Sequence, residues 1–367
     1  MELYFWRLDK IAGKDNLNYM KSTLIFIGPM GLGTIPKAGD SMKNQLFLDR
    51  FVQVFDKVIT VDTMNWKKRP WIMVRLVLVL LLHRKAKVII SANPGSADTL
   101  IGFIKKMRLP NDCFYWVVGG SFHEMINEGR FSASTYSFLK GIFVQGQSMV
   151  ESLRKSGLNN AVYVPNSKLI NHYGEKKPKQ DEKTHFVFLS RVEEYKGCSD
   201  IIKSVDVLTQ NGYQGKFDVV FYGRESEDAA YAKQFQEMVD ARDEVEYKGL
   251  LNLRDTNNYD ELAQYDVMLF PTYWHGEGFP GIVIDAYIAS LPIIASDWNL
   301  NKDVIEDGVT GWIIPTHNVE ALTEKMKYVI DHPEVVQKMS LVCRECAAQY
   351  DSREVLSEEN LKKLGVL

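Results

Sequence analysis

The stretch HGEGFPGIVIDAYIASLPIIASD, residues 275–297, places two carboxylates, Glu277 and Asp285, around a mostly apolar run. Glu277 stands in a turn between Gly276 and Gly278, just after the strand-like DVMLFPTYW. A helix is expected to begin around Pro280 or Gly281, with its free N–H groups facing the same crevice. Asp285 falls in the first turns of that helix, so the spacing predicts two carboxylates at two depths of one pocket. Carboxylates accept hydrogen bonds from vicinal hydroxyls, which is the chemistry of polyol recognition.

A second group lies upstream in LSRVEEYKGCSD, residues 189–200, where a strand ends and a helix should start. Arg191 and Lys196 sit on that loop, and Gly197 lets backbone amides approach a ligand near the helix N-terminus, a natural anion site. Two fixed cations beside such a terminus suit a diphosphate. The loop FYGRESED, residues 221–228, repeats the arrangement with Gly223 and Arg224. Each loop alone is also compatible with a solvated turn carrying incidental charges.

These loops need strands to aim them. In the front half, apolar runs rich in β-branched and aromatic residues recur between helix-length segments: TLIFIG (23–28), VITVD (58–62), KVIISA (87–92), FYWVVGG (114–120), GIFVQG (141–146) and AVYVP (161–165). The rhythm resumes with HFVFLS (185–190), FDVVFYG (217–223), VEYKG (245–249), DVMLFP (266–271), PIIAS (292–296) and GWIIP (311–315). Continuous apolar strands alternating with helices predict parallel sheets in βα units. The polar NHYGEKKPKQDEKT, residues 171–184, reads as a linker. The expected architecture is therefore α/β, with two doubly wound Rossmann-like domains at 1–170 and 185–345 facing across a cleft. A helical tail, 346–367, is expected to pack back on the first domain.

Composition narrows the setting. At 367 residues, 46% hydrophobic and 25% charged, the chain has the make-up of a folded soluble protein of about two domains. Cys113, Cys198, Cys343 and Cys346 are too few and scattered for a disulfide framework, which implies a reducing compartment. Cys343 and Cys346 form a C-x-x-C with no second pair, and read as ordinary helix residues. MELYFWRLDKIAGK lacks the apolar core and cleavage site of a signal peptide. The twelve residues WIMVRLVLVLLL (71–82) are too short to span a bilayer and are expected to form a buried helix. The net charge of −3 hides a split: residues 1–170 carry 23 Lys and Arg against 12 Asp and Glu, and the remainder 21 against 35. The front half should favour an anionic partner.

Taken in order, SRVEEYKG, FYGRESE, YKGLLN, YDVMLFPTYWHGEGFPGIVIDAYIASLPIIASD and NKDVIEDGVTGWIIP resemble the family-four retaining glycosyltransferases, which have the GT-B fold. The likeness extends more thinly through KAGDSMKNQLFL, VVGGSFHE, VQGQSMVESL and YVPN. The resemblance implies that Arg191 and Lys196 neutralise the diphosphate of a UDP- or GDP-sugar and stabilise it as leaving group. It implies that Glu277 holds donor-sugar hydroxyls, Asp285 the nucleotide ribose, and that Gly223, Gly278, Phe279 and Pro280 shape the donor loops. His123 would hydrogen-bond the transferring sugar, and Gly39 would lie on the acceptor side of the first turn. The family spacing is Glu, seven residues, Glu; Asp285 is one methylene shorter. No D-x-D string occurs, so a metal-free site is expected, with the two cations doing that work.

Rival readings remain open. GPMGLG (28–33) invites a dinucleotide-dependent oxidoreductase, but the order is G-x-x-G-x-G, without the acidic residue that fingerprint requires. A sugar-nucleotide epimerase on the same fold, or a non-catalytic nucleotide-sugar-binding subunit, is the alternative. NWKKRPW (65–71), with the apolar helix after it, suggests docking at an anionic membrane and a saccharide acceptor linked to a lipid diphosphate, with no role for nucleic acid. Similar proteins assemble bacterial surface polysaccharides such as capsule and O-antigen. The expected location is cytoplasmic, at the inner face of the plasma membrane.

Overall fold

The computed structural model describes residues 22–33 and 39–367; MELYFWRLDKIAGK and the Lys37–Ala38 pair of the front motif lie outside them. The front half runs β1 (Thr23–Gly28), α1 (Gly39–Val54), β2 (Lys57–Asp62), α2 (Trp71–Leu82), β3 (Lys87–Ala92), α3 (Pro94–Met107), β4 (Cys113–Val117), α4 (Phe122–Asn127), α5 (Ala133–Tyr136), β5 (Gly141–Val144), α6 (Gln147–Lys155) and β6 (Ala161–Tyr163). The back half runs β7 (Thr184–Leu189), α7 (Cys198–Leu208), β8 (Phe217–Tyr222), α8 (Ala229–Asp240), β9 (Val245–Tyr247), α9 (Asn258–Leu262), β10 (Val267–Phe270), α10 (Gly281–Ile288), β11 (Ile293–Ser296), α11 (Asn301–Val304), β12 (Gly311–Ile314), α12 (Val319–Asp331) and α13 (Pro333–Ala347). Two short helices, α14 (Ser352–Val355) and α15 (Glu358–Lys363), form the tail.

The strands pair in parallel as two six-stranded sheets, β2-β1-β3-β4-β5-β6 and β12-β11-β10-β7-β8-β9. The central strands of each sheet are buried on both faces, so they read as unbroken apolar runs rather than alternating ones. In the second sheet the strand order reverses between β7 and β10, which pair through Val267 and Phe186. Open α/β sheets bind ligands beyond the carboxyl ends of the strands at such a switch point. The loops following β7 and β10 are those that carry Arg191, Lys196 and Glu277.

Local signals set the helix starts. Asn93 accepts from Ser96 N with Pro94 behind it, Asp228 accepts from Ala230 N, and Asn318 accepts from Ala321 N. The segment 171–184 is held along the back half rather than left free: Gly174 N donates to Ile288 O, and Lys176 and Lys179 both pair with Asp266, each at 2.8 Å. Its last residue, Thr184, is already the first of β7.

The tail crosses back at the front half. Lys168 and Asp351 form a bridge, with Lys168 N donating to Tyr350 O and Ser352 N to Lys168 O. Val355, Leu356, Leu361 and Val366 are buried in one cluster with Leu24, Phe26 and Trp116 of the front sheet and Phe47 and Phe51 of α1.

One expectation is corrected. Residues 71–82 do form a helix, but only Ile72, Leu76 and Leu80 are buried. Trp71, Val74, Leu78 and Leu82 are 61%, 61%, 53% and 76% exposed. An all-apolar helix over one face of a sheet has only a stripe to bury, and among the described residues nothing covers the outer one.

Candidate active site

Lys196 and Glu277 meet at the switch point. The Lys196 ammonium donates to Glu277 Oε2, and the two side chains are 4% and 13% exposed. Their loops are locked locally. Gly197 has φ +81°, and a Cβ there would collide with the carbonyl oxygen of Pro271, so the cation loop lies directly on the end of β10. Tyr273 N donates to Tyr195 O at 2.9 Å, stitching the same two loops. Asn299, in left-handed backbone, donates its side-chain amide to Glu277 O at 2.6 Å. Burial lowers the pKa of Lys196, and Glu277 opposes that shift by stabilising the ammonium.

Trp274 is the platform of the site. Lys196 Nζ lies 4.5 Å and the Arg191 guanidinium 5.0 Å from its ring centroid, and Tyr195 stacks beside it at 6.0 Å. Arg191 is exposed, and its guanidinium lies over this ring. A Cβ at Gly223 would strike Ser190 O, so the ends of β7 and β8 approach through that glycine.

The front half closes on this group. A Cβ on Gly120 would come 2.6 Å from Glu277 O, and one on Gly278 would come 3.0 Å from Gly120 N. The two glycine turns thus touch backbone to backbone across the cleft. His123 follows on α4; burial is the main effect on its imidazole and lowers its pKa, which favours the neutral form near pH 7. Asp303 of the back half accepts from Ser148 N at 3.1 Å and Ser148 Oγ at 2.7 Å, capping α6 from across the cleft. Phe279 is buried against Tyr350, with ring centroids 5.5 Å apart, and Pro280 caps α10.

Asp285 faces elsewhere. Its carboxylate accepts from Lys168 Nζ at 2.5 Å and from Tyr259 Oη at 2.6 Å, and the residue is 5% exposed. The two carboxylates of the motif therefore engage different cations, one from the β7 loop and one from the segment leaving the front half. Gly39 opens α1 with open space where a Cβ would point. The structure thus brings Arg191, Lys196 and Glu277 into one cluster and sets the glycine turn before His123 against it, while Asp285 is paired with Lys168 and Tyr259. Sequence reasoning missed Trp274, Asn299, Lys168 and Tyr259. The signal for Trp274 was present, an aromatic three residues before Glu277; the others come close only through the fold.

Two parallel six-stranded, doubly wound sheets define the GT-B fold. Residues 171–344 match the family model described as glycosyl transferases group 1. The chain is similar to the capsular polysaccharide biosynthesis glycosyltransferase CapM of Staphylococcus aureus, 23% identical over 208 residues, or 55% of this chain and 52% of that protein. Among solved structures, HepE of Anabaena in complex with UDP and the apo lipopolysaccharide outer core galactosyltransferase WaaB each superpose with a TM-score of 0.70. They are 12% and 14% identical, and each match covers 94% of this chain and 100% of the other. The chain spans about half the length of the curated relatives it matches. The family match and these relatives support a glycosyltransferase.

Proposed function

We propose that the chain is a retaining glycosyltransferase that moves a sugar from a UDP- or GDP-sugar to a saccharide acceptor in bacterial surface-polysaccharide assembly. The observation that carries this is the Lys196–Glu277 pair over Trp274, with Arg191 beside it, at the switch point of the back sheet. A donor diphosphate entering there meets both cations. Lys196 then exchanges its bond to Glu277 for phosphate oxygens, and the freed carboxylate accepts from sugar hydroxyls. As the sugar–phosphate bond breaks, negative charge grows on the leaving diphosphate between Arg191 and Lys196, which requires no metal in this reading. Neutral His123 donates to or accepts from the transferring sugar on the front side. The polysaccharide role rests on the likeness to CapM.

The test is a panel of UDP- and GDP-sugars incubated with the purified chain and a saccharide acceptor, with nucleotide release and the anomeric configuration of the product followed by NMR. Transfer with retention is expected. An altered sugar still attached to its nucleotide would instead establish an epimerase, and binding without turnover a non-catalytic subunit.

The exposed face of α2 favours a membrane-held acceptor. Trp71, Val74, Leu78 and Leu82 form one apolar stripe, preceded by Lys67, Lys68 and Arg69, a combination suited to lying in an anionic interface. No helix among the described residues is long and apolar enough to cross a membrane. In this reading the protein works peripherally at the cytoplasmic face of the plasma membrane, and its acceptor is linked to a lipid diphosphate.

A further inference from the structure

Helix α6 has no cap of its own. Its N-cap position is Gly146, which carries no side chain to accept from the first free N–H groups of the helix. The acceptor comes from the other half of the molecule: Asp303 Oδ2 takes both Ser148 N, at 3.1 Å, and Ser148 Oγ, at 2.7 Å, from 155 residues away in sequence. A Cβ on Gly146 would come 2.4 Å from Leu300 Cδ2 and 2.6 Å from Asp303 Oδ2, so a side chain there would displace the cap. A carboxylate at a helix N-terminus is favourable both as a hydrogen-bond acceptor and toward the helix dipole. Here that gain exists only while the two halves are docked.

The chain segment that supplies this cap also holds the Glu277 turn. Trp298 Nε1 donates to Trp274 O at 2.8 Å, and the Asn299 side-chain amide donates to Glu277 O at 2.6 Å. Trp274 and Glu277 are the first and last residues of one turn, closed by Glu277 N donating to Trp274 O at 3.0 Å. Trp298 and Asn299 therefore grip both ends of the turn that presents the Glu277 carboxylate to Lys196. The segment is bonded within itself and to the end of β11: Asp303 N donates to Leu300 O at 3.0 Å, and the amide of the fully buried Asn301 donates to Ser296 O at 2.9 Å. A displacement at Asp303 is thus passed to Asn299 and Trp298. We propose that Asp303 is a positioning residue for transfer: its cap on α6 registers the docking of the front half, and the segment 298–303 carries that register to the Glu277 turn through Asn299 and Trp298. Asp303 acts through Glu277 rather than on the substrate. The kinetic part of this inference rests on the transferase reading; the mechanical part does not.

The test uses the full chain labelled with fluorotryptophan and followed by 19F NMR, with the Trp298 resonance assigned by its disappearance in Trp298→Phe. Asp303→Ala and Ser148→Ala are compared with wild type. Ser148 is an exposed residue of the front half, and its change to Ala removes one hydrogen bond without touching the core. It should move the Trp298 resonance of the back half in the same direction as Asp303→Ala, and by less, because Ser148 N still donates to Asp303. In assays with a nucleotide sugar and a saccharide acceptor, Asp303→Ala should lower kcat about tenfold, as a small misplacement of positioned groups does, while the nucleotide Kd from calorimetry changes by less than about twofold. Asp303→Asn, which keeps an acceptor without the charge, should fall between. Ser148→Ala combined with Asp303→Ala should lose no more than Asp303→Ala alone, because both changes remove one shared contact. A cap that only holds α6 together would lower the melting temperature and leave kcat and the Trp298 resonance unmoved, which overturns the inference. A Trp298 resonance that answers Asp303→Ala but not Ser148→Ala also overturns it, since the signal would then not cross the cleft. In a chain that turns over no nucleotide sugar the transferase reading falls, and the response of Trp298 to Ser148→Ala alone upholds or overturns the mechanical coupling.

Discussion

The ammonium of Lys196 and the carboxylate of Glu277, 81 residues apart in sequence, neutralise each other in a buried contact at the end of β7 and β10. In the proposed mechanism each therefore guards the other until a diphosphate sugar arrives. Glu277→Gln should lower turnover on the order of a hundredfold while nucleotide binding, followed by calorimetry, persists. Lys196→Ala should lose turnover to a similar degree and weaken nucleotide binding as well. Full activity in both variants would remove the assigned donor site.

Asp285 and Lys168 form a second pair, in which the back half grips the segment that leaves the front half. Asp285→Asn leaves Lys168 and Tyr259 facing a weaker acceptor, and a loss of about 1–3 kcal/mol is expected in urea unfolding. Lys168→Met combined with Asp285→Asn should cost less than the two single changes added together, because the partners share one interaction. Additive losses would mean that the pair is not coupled. The ribose contact suggested by the family spacing predicts a selective loss of nucleotide affinity in Asp285→Asn, which calorimetry on the folded variant detects.

The glycine contact across the cleft admits no methyl group. Gly120→Ala would press on Glu277 O at 2.6 Å, and the Glu277 loop must shift to relieve it. Turnover should fall about tenfold or more with little change in melting temperature, since a displacement of 1 Å at positioned groups is enough to cost that much. Gly197→Ala differs: positive φ and the clash with Pro271 act together, so both stability and turnover should drop. Wild-type rates in Gly120→Ala would show that catalysis does not use the closed arrangement seen here.

The central strands are legible as apolar runs because both faces of a parallel sheet are buried there, and the order of strands along the chain is enough to suggest two α/β units, although the edge strands β2, β6 and β9 are only partly covered. The cations of the β7 loop and Glu277 are legible too, since short loops on adjacent strands leave them few places to go. The fate of Asp285 is not: its partner Lys168 lies 117 residues away and meets it only through the crossing of two chain segments. Nor is the exposure of α2, because a run of Leu and Val looks the same whether one face or both are covered.

Lys43 makes stability depend on pH in a defined direction. Its folded-state pKa is lowered from 10.5 to about 7, so between these values the unfolded chain holds a proton that the folded chain has released. Stability then rises with pH across that window. Lys43→Met removes this dependence: it should be more stable than wild type at pH 6.5, and the gap should narrow steadily toward pH 10. Paired urea melts at several pH values check this, and a constant gap would mean that Lys43 titrates normally.

The stripe on α2 links the charge split to the acceptor. Trp71, Val74 and Leu78 can enter the interface only if the helix lies flat on the bilayer, and Lys67, Lys68 and Arg69 at its start then sit among the headgroups. Near an anionic surface each basic side chain contributes roughly 1 kcal/mol, so replacing the three with Glu should release the protein from anionic liposomes, most clearly at low salt. Leu78→Glu should weaken binding to anionic and neutral liposomes alike, because it removes buried apolar area rather than charge. The proposed donor loops lie in the other half, so nucleotide affinity should be unchanged in every variant while transfer to a membrane-held acceptor falls. Sedimentation with both kinds of liposome at two salt concentrations decides it: wild-type protein that stays in the supernatant throughout would leave α2 as a surface for another protein and the acceptor as a soluble one.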